Sequence, residues 1–175
     1  MKRSELEHAI RAACDVSGDN EVIVFGSQAI LGQFPLAHAD LLMSAEADVM
    51  PKNHPEKVDE IDGCLGEMSQ FHETHGFYVH GVDIACAKLP KGWQERWLRV
   101  QNQNTRYKTG YCIEAHDLAA SKLAAFRPKD TQFVALLISE HLINVDILKA
   151  RIEETPIDEN LKKRILRWIQ KESQQ

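Results

Sequence analysis

Glu46 and Asp48 stand one residue apart in Glu46-Ala47-Asp48-Val49. On a strand, positions i and i+2 share a face, so both carboxylates point the same way while Ala47 and Val49 turn toward a core. Carboxylates held that close repel each other, and a divalent cation relieves the repulsion. Clustered oxygen donors suit Mg2+ or Mn2+, with further positions left for water and substrate phosphates. A solvated strand face produces the same acidic pair. Upstream, the apolar run Val22-Ile23-Val24-Phe25 ends in Gly26-Ser27. A glycine lets backbone N–H groups approach a phosphate closely, and Ser27 at a helix start adds a hydroxyl and the positive end of a helix dipole. An ordinary strand-to-helix turn also reads this way. Together the two stretches describe a place for a triphosphate and its metal ions.

Three further groups extend that chemistry. Asp83, in His80-Gly81-Val82-Asp83-Ile84, is a candidate third carboxylate, both metal ligand and base for an attacking hydroxyl. Lys122 lies among alanines and a serine in a helical stretch, an unusual setting for a long cation unless its head reaches a site. Arg127 and Asp130 follow it, a second phosphate-binding cation and an acid placed to orient either base. A snorkelling surface lysine and a strand-end surface acid are the plain alternatives.

The elements that must position these groups follow from pattern and punctuation. Ser4-Glu5-Leu6-Glu7 has the form of a capping box, and apolar spacing predicts a helix over 4–16. A buried strand is expected over 21–25, a short helix over 28–31 and a second strand over 46–50. Pro55 opens a predicted helix with Val58, Ile61, Leu65 and Met68 on one stripe, ended by Gly76. A third strand is expected over 77–86, with Gly81 marking a bulge, then a short helix over 93–100 and another strand within 105–113. From His116 the chain reads as helical: 116–126, about 129–142, 145–153 and 158–171, with Pro128 as the first break. The predicted fold class is α+β. A small mixed or antiparallel sheet with helices on one face occupies residues 1–115, and a helical C-terminal region, 116–175, packs on it.

Composition narrows the classes. The 175 residues are enough for a real core, and the shares of hydrophobic (43%) and charged (27%) residues are those of a soluble globular protein. No apolar run approaches the roughly 20 residues of a membrane helix, so a cytoplasmic location without a membrane partner is expected. A net charge of −5 argues against broad nonspecific binding to nucleic acid, though not against a short contact with an RNA end. The four cysteines are scattered with no zinc spacing, which suits reduced thiols.

A strand ending in Gly-Ser, followed by paired acids on the next strand, resembles the DNA polymerase β-like nucleotidyltransferase superfamily. The stretch HDLAASKLAAFRPKD, residues 116–130, and LPKGWQERWLRV, residues 89–100, look like the AbiEii/AbiGii-type toxin branch and its uncharacterised relatives. The likeness covers about residues 20–140. It implies that Gly26 and Ser27 hold an NTP, that Glu46 and Asp48 ligate Mg2+ (or Mn2+), and that Lys122 contacts the triphosphate with Arg127 and Asp130 in support. Glu46, Asp48, Asp83 and Lys122 would be the catalytic set. The implied reaction transfers a nucleoside monophosphate to an acceptor hydroxyl on an RNA end, a protein or a small molecule. A toxin–antitoxin role would add a cognate antitoxin as partner. The chain departs from the superfamily pattern in carrying Glu46 where Asp is usual, after a longer gap from Ser27. That departure motivates the alternative of a non-catalytic nucleotide-binding or partner-binding relative.

Overall fold

Strands β1 (Glu21–Phe25), β2 (Glu46–Pro51), β3 (Tyr78–Gly81), β4 (Leu98–Val100) and β5 (Thr109–Cys112) form one sheet in the computed structural model, which describes residues 1–174. Their order is β3-β2-β1-β5-β4. The sheet is mixed: β1 runs antiparallel to β2 and parallel to β5, β2 is parallel to β3, and β4 is antiparallel to β5. The α+β class and the small mixed sheet are as expected from the sequence. The chain divides into two units, one of residues 1–86 with 97–114, the other of residues 87–96 with the chain from Ala115 onward.

In the first unit, helices α1 (Arg3–Ser17) and α2 (Val58–Leu65) cover one face of the sheet. That face is built from Val22, Val24, Ala47 and Val49, all fully buried. The period-2 alternation therefore leaves Glu46, Asp48, Tyr78 and His80 on the opposite face. Gly81 permits a close approach, since a Cβ there would overlap the carbonyl oxygen of Val58 in α2. It is a contact point between strand and helix, not the bulge its position suggests.

Local chemistry corrects several expected boundaries. The Ser4–Glu7 capping box does not form. Helix α1 starts one residue earlier, Glu5 accepts from the Lys2 N–H at 2.6 Å, and Glu7 turns inward to Arg3, Asn102 and Asn104. The long helix expected after Pro55 is two: α2 ends at Gly66, Met68 takes a left-handed φ of 65°, and Ser69 caps α3 (Gln70–His75). Two glycines in the α2 stretch and a capping serine outweigh the apolar stripe. Strand β3 stops at Gly81, and Ile84–Cys86 form a 3-10 turn. The helix expected over 93–100 is a 3-10 turn, Trp93–Glu95, followed by β4, where pairing with β5 overrides a helical spacing too short to be decisive.

The second unit contains α4 (Ala115–Ala125), α5 (Pro128–Ser139), α6 (Val145–Glu154) and α7 (Glu159–Glu172). Pro128 sits in the first turn of α5 with Arg127 extended before it. Asn144 caps α6 and Asp158 caps α7 through their side-chain oxygens. Leu118, Leu123, Leu137, Leu148, Ile152 and Ile165 supply its core. The segment 87–96 is tied in through polar contacts. Arg96 holds the fully buried Asp117 with two hydrogen bonds, at 2.9 and 3.0 Å. The Lys91 N–H donates to the Glu154 carbonyl at 3.1 Å. Arg151 brings its Nε to 3.0 Å from Oδ1 of Asp117, an oxygen that Arg96 also binds, close enough for charge attraction although not aligned as a hydrogen bond. Among the described residues no helix is long and apolar enough to cross a membrane.

Candidate functional site

Antiparallel pairing places Phe25, the last residue of β1, opposite Asp48 of β2. The next residue, Gly26, has φ 69° and ψ −172°, a region that essentially only glycine occupies. Space imposes the same demand, because a Cβ on Gly26 would overlap Oδ2 of Asp48. Ser27 then opens a 3-10 helix, Ser27–Gly32. The cap position belongs to Gly26, not Ser27, and no side chain caps that helix. Ser27 is half-buried, and Gln28 behind it is fully buried with Nε2 donating to the Leu41 carbonyl at 3.3 Å and no partner for Oε1.

The acids meet a residue from β3. Parallel register sets Tyr78 beside Glu46 and His80 beside Asp48. Nδ1 of His80 lies 3.0 Å from Oδ1 of Asp48 and 3.1 Å from Oε1 of Glu46. One donor atom from each of the three residues falls within 4.8 Å of the other two. The side chains are 36% (Glu46), 24% (Asp48) and 41% (His80) exposed, so solvent and a ligand can reach them. Burial, then the negative charges of Glu46, Glu67 and Asp48, pushes the Tyr78 hydroxyl above its ordinary range. Tyr78 thus stays a neutral phenol beside the longer acid. The Cys86 thiol is raised too, by burial first and then by the charges of Asp48 and Asp83.

Asp83 lies past the end of β3, exposed, with Oδ1 accepting from the Ala85 N–H at 2.8 Å. It caps the 3-10 turn and stands outside the group of three converging donors. His80 and Tyr78 are the residues a sequence reading misses. Nothing in the one-dimensional pattern shows that β3 runs parallel to β2 in the register that sets them against Asp48 and Glu46.

Within the second unit, Lys122, Arg127 and Asp130 come together. Nζ of Lys122 is 3.5 Å from Oδ1 of Asp130 and 4.7 Å from the centre of the Phe133 ring, while Nε of Arg127 is 2.6 Å from Oδ2. Asp130 is almost fully buried. Burial alone would raise its carboxyl, but the Arg127 hydrogen bond and the charges of Lys122 and Arg127 outweigh it and hold the group below the usual carboxylate range.

The donor set fits a divalent cation. Two carboxylates and an imidazole nitrogen converge on one accessible point, and the missing Cβ of Gly26 leaves room for Asp48 at the edge of that cradle. A family model described as nucleotidyltransferase of unknown function matches residues 4–174. The chain belongs to that family. Neither the curated proteins nor the solved structures provide a match. The match spans residues of both units, the helical region after Ala115 included.

Proposed function

We propose that the chain is a divalent-metal-dependent nucleotidyltransferase that moves a nucleoside monophosphate from an NTP to an acceptor hydroxyl. The observation that carries this reading is the contact of Gly26 with Asp48, beside Glu46 on the same strand face. It joins a phosphate-approaching turn to a pair of metal-ligating acids. Gly26 and Ser27 are proposed to receive the triphosphate, the glycine by bringing the turn against Asp48 and the serine through its hydroxyl. Glu46 and Asp48 would hold the cation, with Tyr78 beside Glu46 on the same face. A bound Mg2+ or Mn2+ supplies charge neutralisation along the triphosphate.

In the transfer, the acceptor oxygen forms a bond to the α-phosphorus. The bond from that phosphorus to the α,β-bridging oxygen breaks, and pyrophosphate leaves with the electron pair. The hydroxyl proton passes to Asp83, whose Oδ2 is not used by the turn that Oδ1 caps. Lys122 is proposed as a phosphate-binding point charge, with Arg127 and Asp130 in support. This role rests on its chemistry, a largely buried cation.

The acceptor is proposed as an RNA end, a protein or a small molecule. The AbiEii/AbiGii-type likeness of residues 116–130 supports a cytoplasmic toxin with a cognate antitoxin. Incubation with each labelled NTP, a divalent cation, total RNA and cell extract tests the reaction, its base and its acceptor together. Label transfer that disappears in Asp48→Ala supports the reading. Undiminished transfer by that variant removes Asp48 from the chemistry, and absence of transfer with all four NTPs and both acceptor pools counts against the enzyme.

A further inference from the structure

We infer that His80 is a metal ligand and that its nitrogen tunes this site toward first-row transition dications, Mn2+ among them, over Mg2+. The inference rests on the proposed metal site of Glu46 and Asp48 and adds a third donor that changes which ion it holds. Three observations carry it. Nδ1 stands between the two acids, 3.0 Å from one and 3.1 Å from the other, so it faces the point on which their oxygens converge. All three donor atoms lie within 4.8 Å of one another, which confines them around a volume suited to one ion. The ring is held there by the sheet itself, because parallel register fixes His80 beside Asp48.

A neutral imidazole carries one ring proton. With that proton on Nδ1 it can be donated to only one carboxylate at a time, and the repulsion between Glu46 and Asp48 is incompletely relieved. With the proton on Nε2, Nδ1 offers a lone pair to a cation that both carboxylates also neutralise. The ion then meets two oxygens and one nitrogen from the protein. Mg2+ is a hard ion that takes oxygen donors in strict octahedral geometry. An imidazole nitrogen favours transition dications by the Irving–Williams order. Mn2+ combines affinity for carboxylate oxygen with tolerance of imidazole, and it reports its own ligands by electron paramagnetic resonance.

The test titrates the full chain, without nucleotide, with Mn2+ and separately with Mg2+, and records pulsed resonance spectra of the Mn2+ complex. The expected result is nitrogen modulation from a directly bound imidazole. Mn2+ should bind at least about tenfold more tightly than Mg2+, a preference reduced to within about threefold in His80→Ala. His80→Asp is the companion variant. It supplies a third oxygen, so Mg2+ binding strengthens relative to His80→Ala while the nitrogen signal stays absent. Mn2+ binding that depends on Glu46 and Asp48 but shows no nitrogen modulation, with a metal preference unchanged in both His80 variants, overturns the inference and leaves the two-carboxylate site standing. No Mn2+ binding at all overturns both the inference and the metal site beneath it.

Discussion

Gly26 and Asp48 are in contact across the end of the β1–β2 pair: a Cβ on Gly26 would overlap Oδ2 and stand 2.8 Å from the carboxyl carbon. Backbone and space make the same demand, because φ 69° with ψ −172° is a conformation that L side chains avoid. Gly26→Ala is therefore expected to cost about 2 kcal/mol or more and to displace Asp48. Urea unfolding measures the first effect and divalent-cation affinity the second. A variant with wild-type stability would show that the turn relaxes without strain.

Asp48 itself contributes to chemistry more than to packing. It is partly exposed and lies beside a second acid, so Asp48→Asn removes repulsion as well as a ligand. The melting temperature of Asp48→Asn is expected to stay within about 3 °C of wild type, or to rise, while nucleotidyl transfer falls at least about a hundredfold. A large loss of stability with activity retained would reverse the assignment.

Much of the candidate site is legible in the sequence, and the illegible part has a physical cause. Glu46, Asp48 and the Gly26 turn are readable because strand periodicity puts i and i+2 on one face and because glycine marks an otherwise forbidden turn. The four C-terminal helices are readable from apolar spacing, Pro128 and the gaps between segments. The arrival of His80 depends on parallel pairing between strands separated by two helices, a long-range choice that leaves no local trace. Strand β4 was hidden because Leu98, Arg99 and Val100 are too few residues to separate a period of 2 from one of 3.6. Met68 looked like a core position on a helical stripe, yet it is 85% exposed, because the helix had already ended at Gly66.

In the helical unit, Asp117 serves two arginines at once, Arg96 from the 87–96 segment and Arg151 from α6. Removing that carboxylate takes the shared counter-ion from two cations that are each about one-fifth exposed. Asp117→Asn is expected to destabilise the protein by about 2–4 kcal/mol, below the cost for fully buried pairs because water still reaches both guanidinium groups. It should also speed limited proteolysis within residues 87–96. Unchanged cleavage there would mean that the Lys91–Glu154 backbone contact suffices to hold the segment.

Asp130 gives the helical unit an acid sensitivity whose sign is fixed. Its carboxyl is held below the ordinary value of 3.8, the Arg127 and Lys122 contacts outweighing the opposing effect of burial. A carboxyl depressed in the native state stabilises fully above its unfolded value, and that contribution is lost as the pH falls through the native value. Asp130→Asn is therefore expected to lower stability at pH 7 and to lose less stability than wild type on acidification below about pH 4. Urea midpoints at the two pH values measure the difference. Parallel loss in both proteins would show that other carboxylates carry the acid response.

The cysteines report on the position of Asp48 without assuming any activity. Cys14 and Cys112 are buried, their thiols pushed up to about 12, chiefly by burial, and are expected to label only on unfolding. Cys64 and Cys86 are exposed. Although Cys86 is exposed overall, its thiol is raised by partial desolvation and by the charges of Asp48 and Asp83, so at pH 8 it should react more slowly than Cys64. Asp48→Asn removes one of those charges and is expected to accelerate Cys86 labelling by about two- to fivefold, with Cys64 unchanged as the internal control. Equal acceleration at both thiols would indicate general loosening, and no acceleration at Cys86 would place Asp48 farther from that thiol than the sheet geometry does.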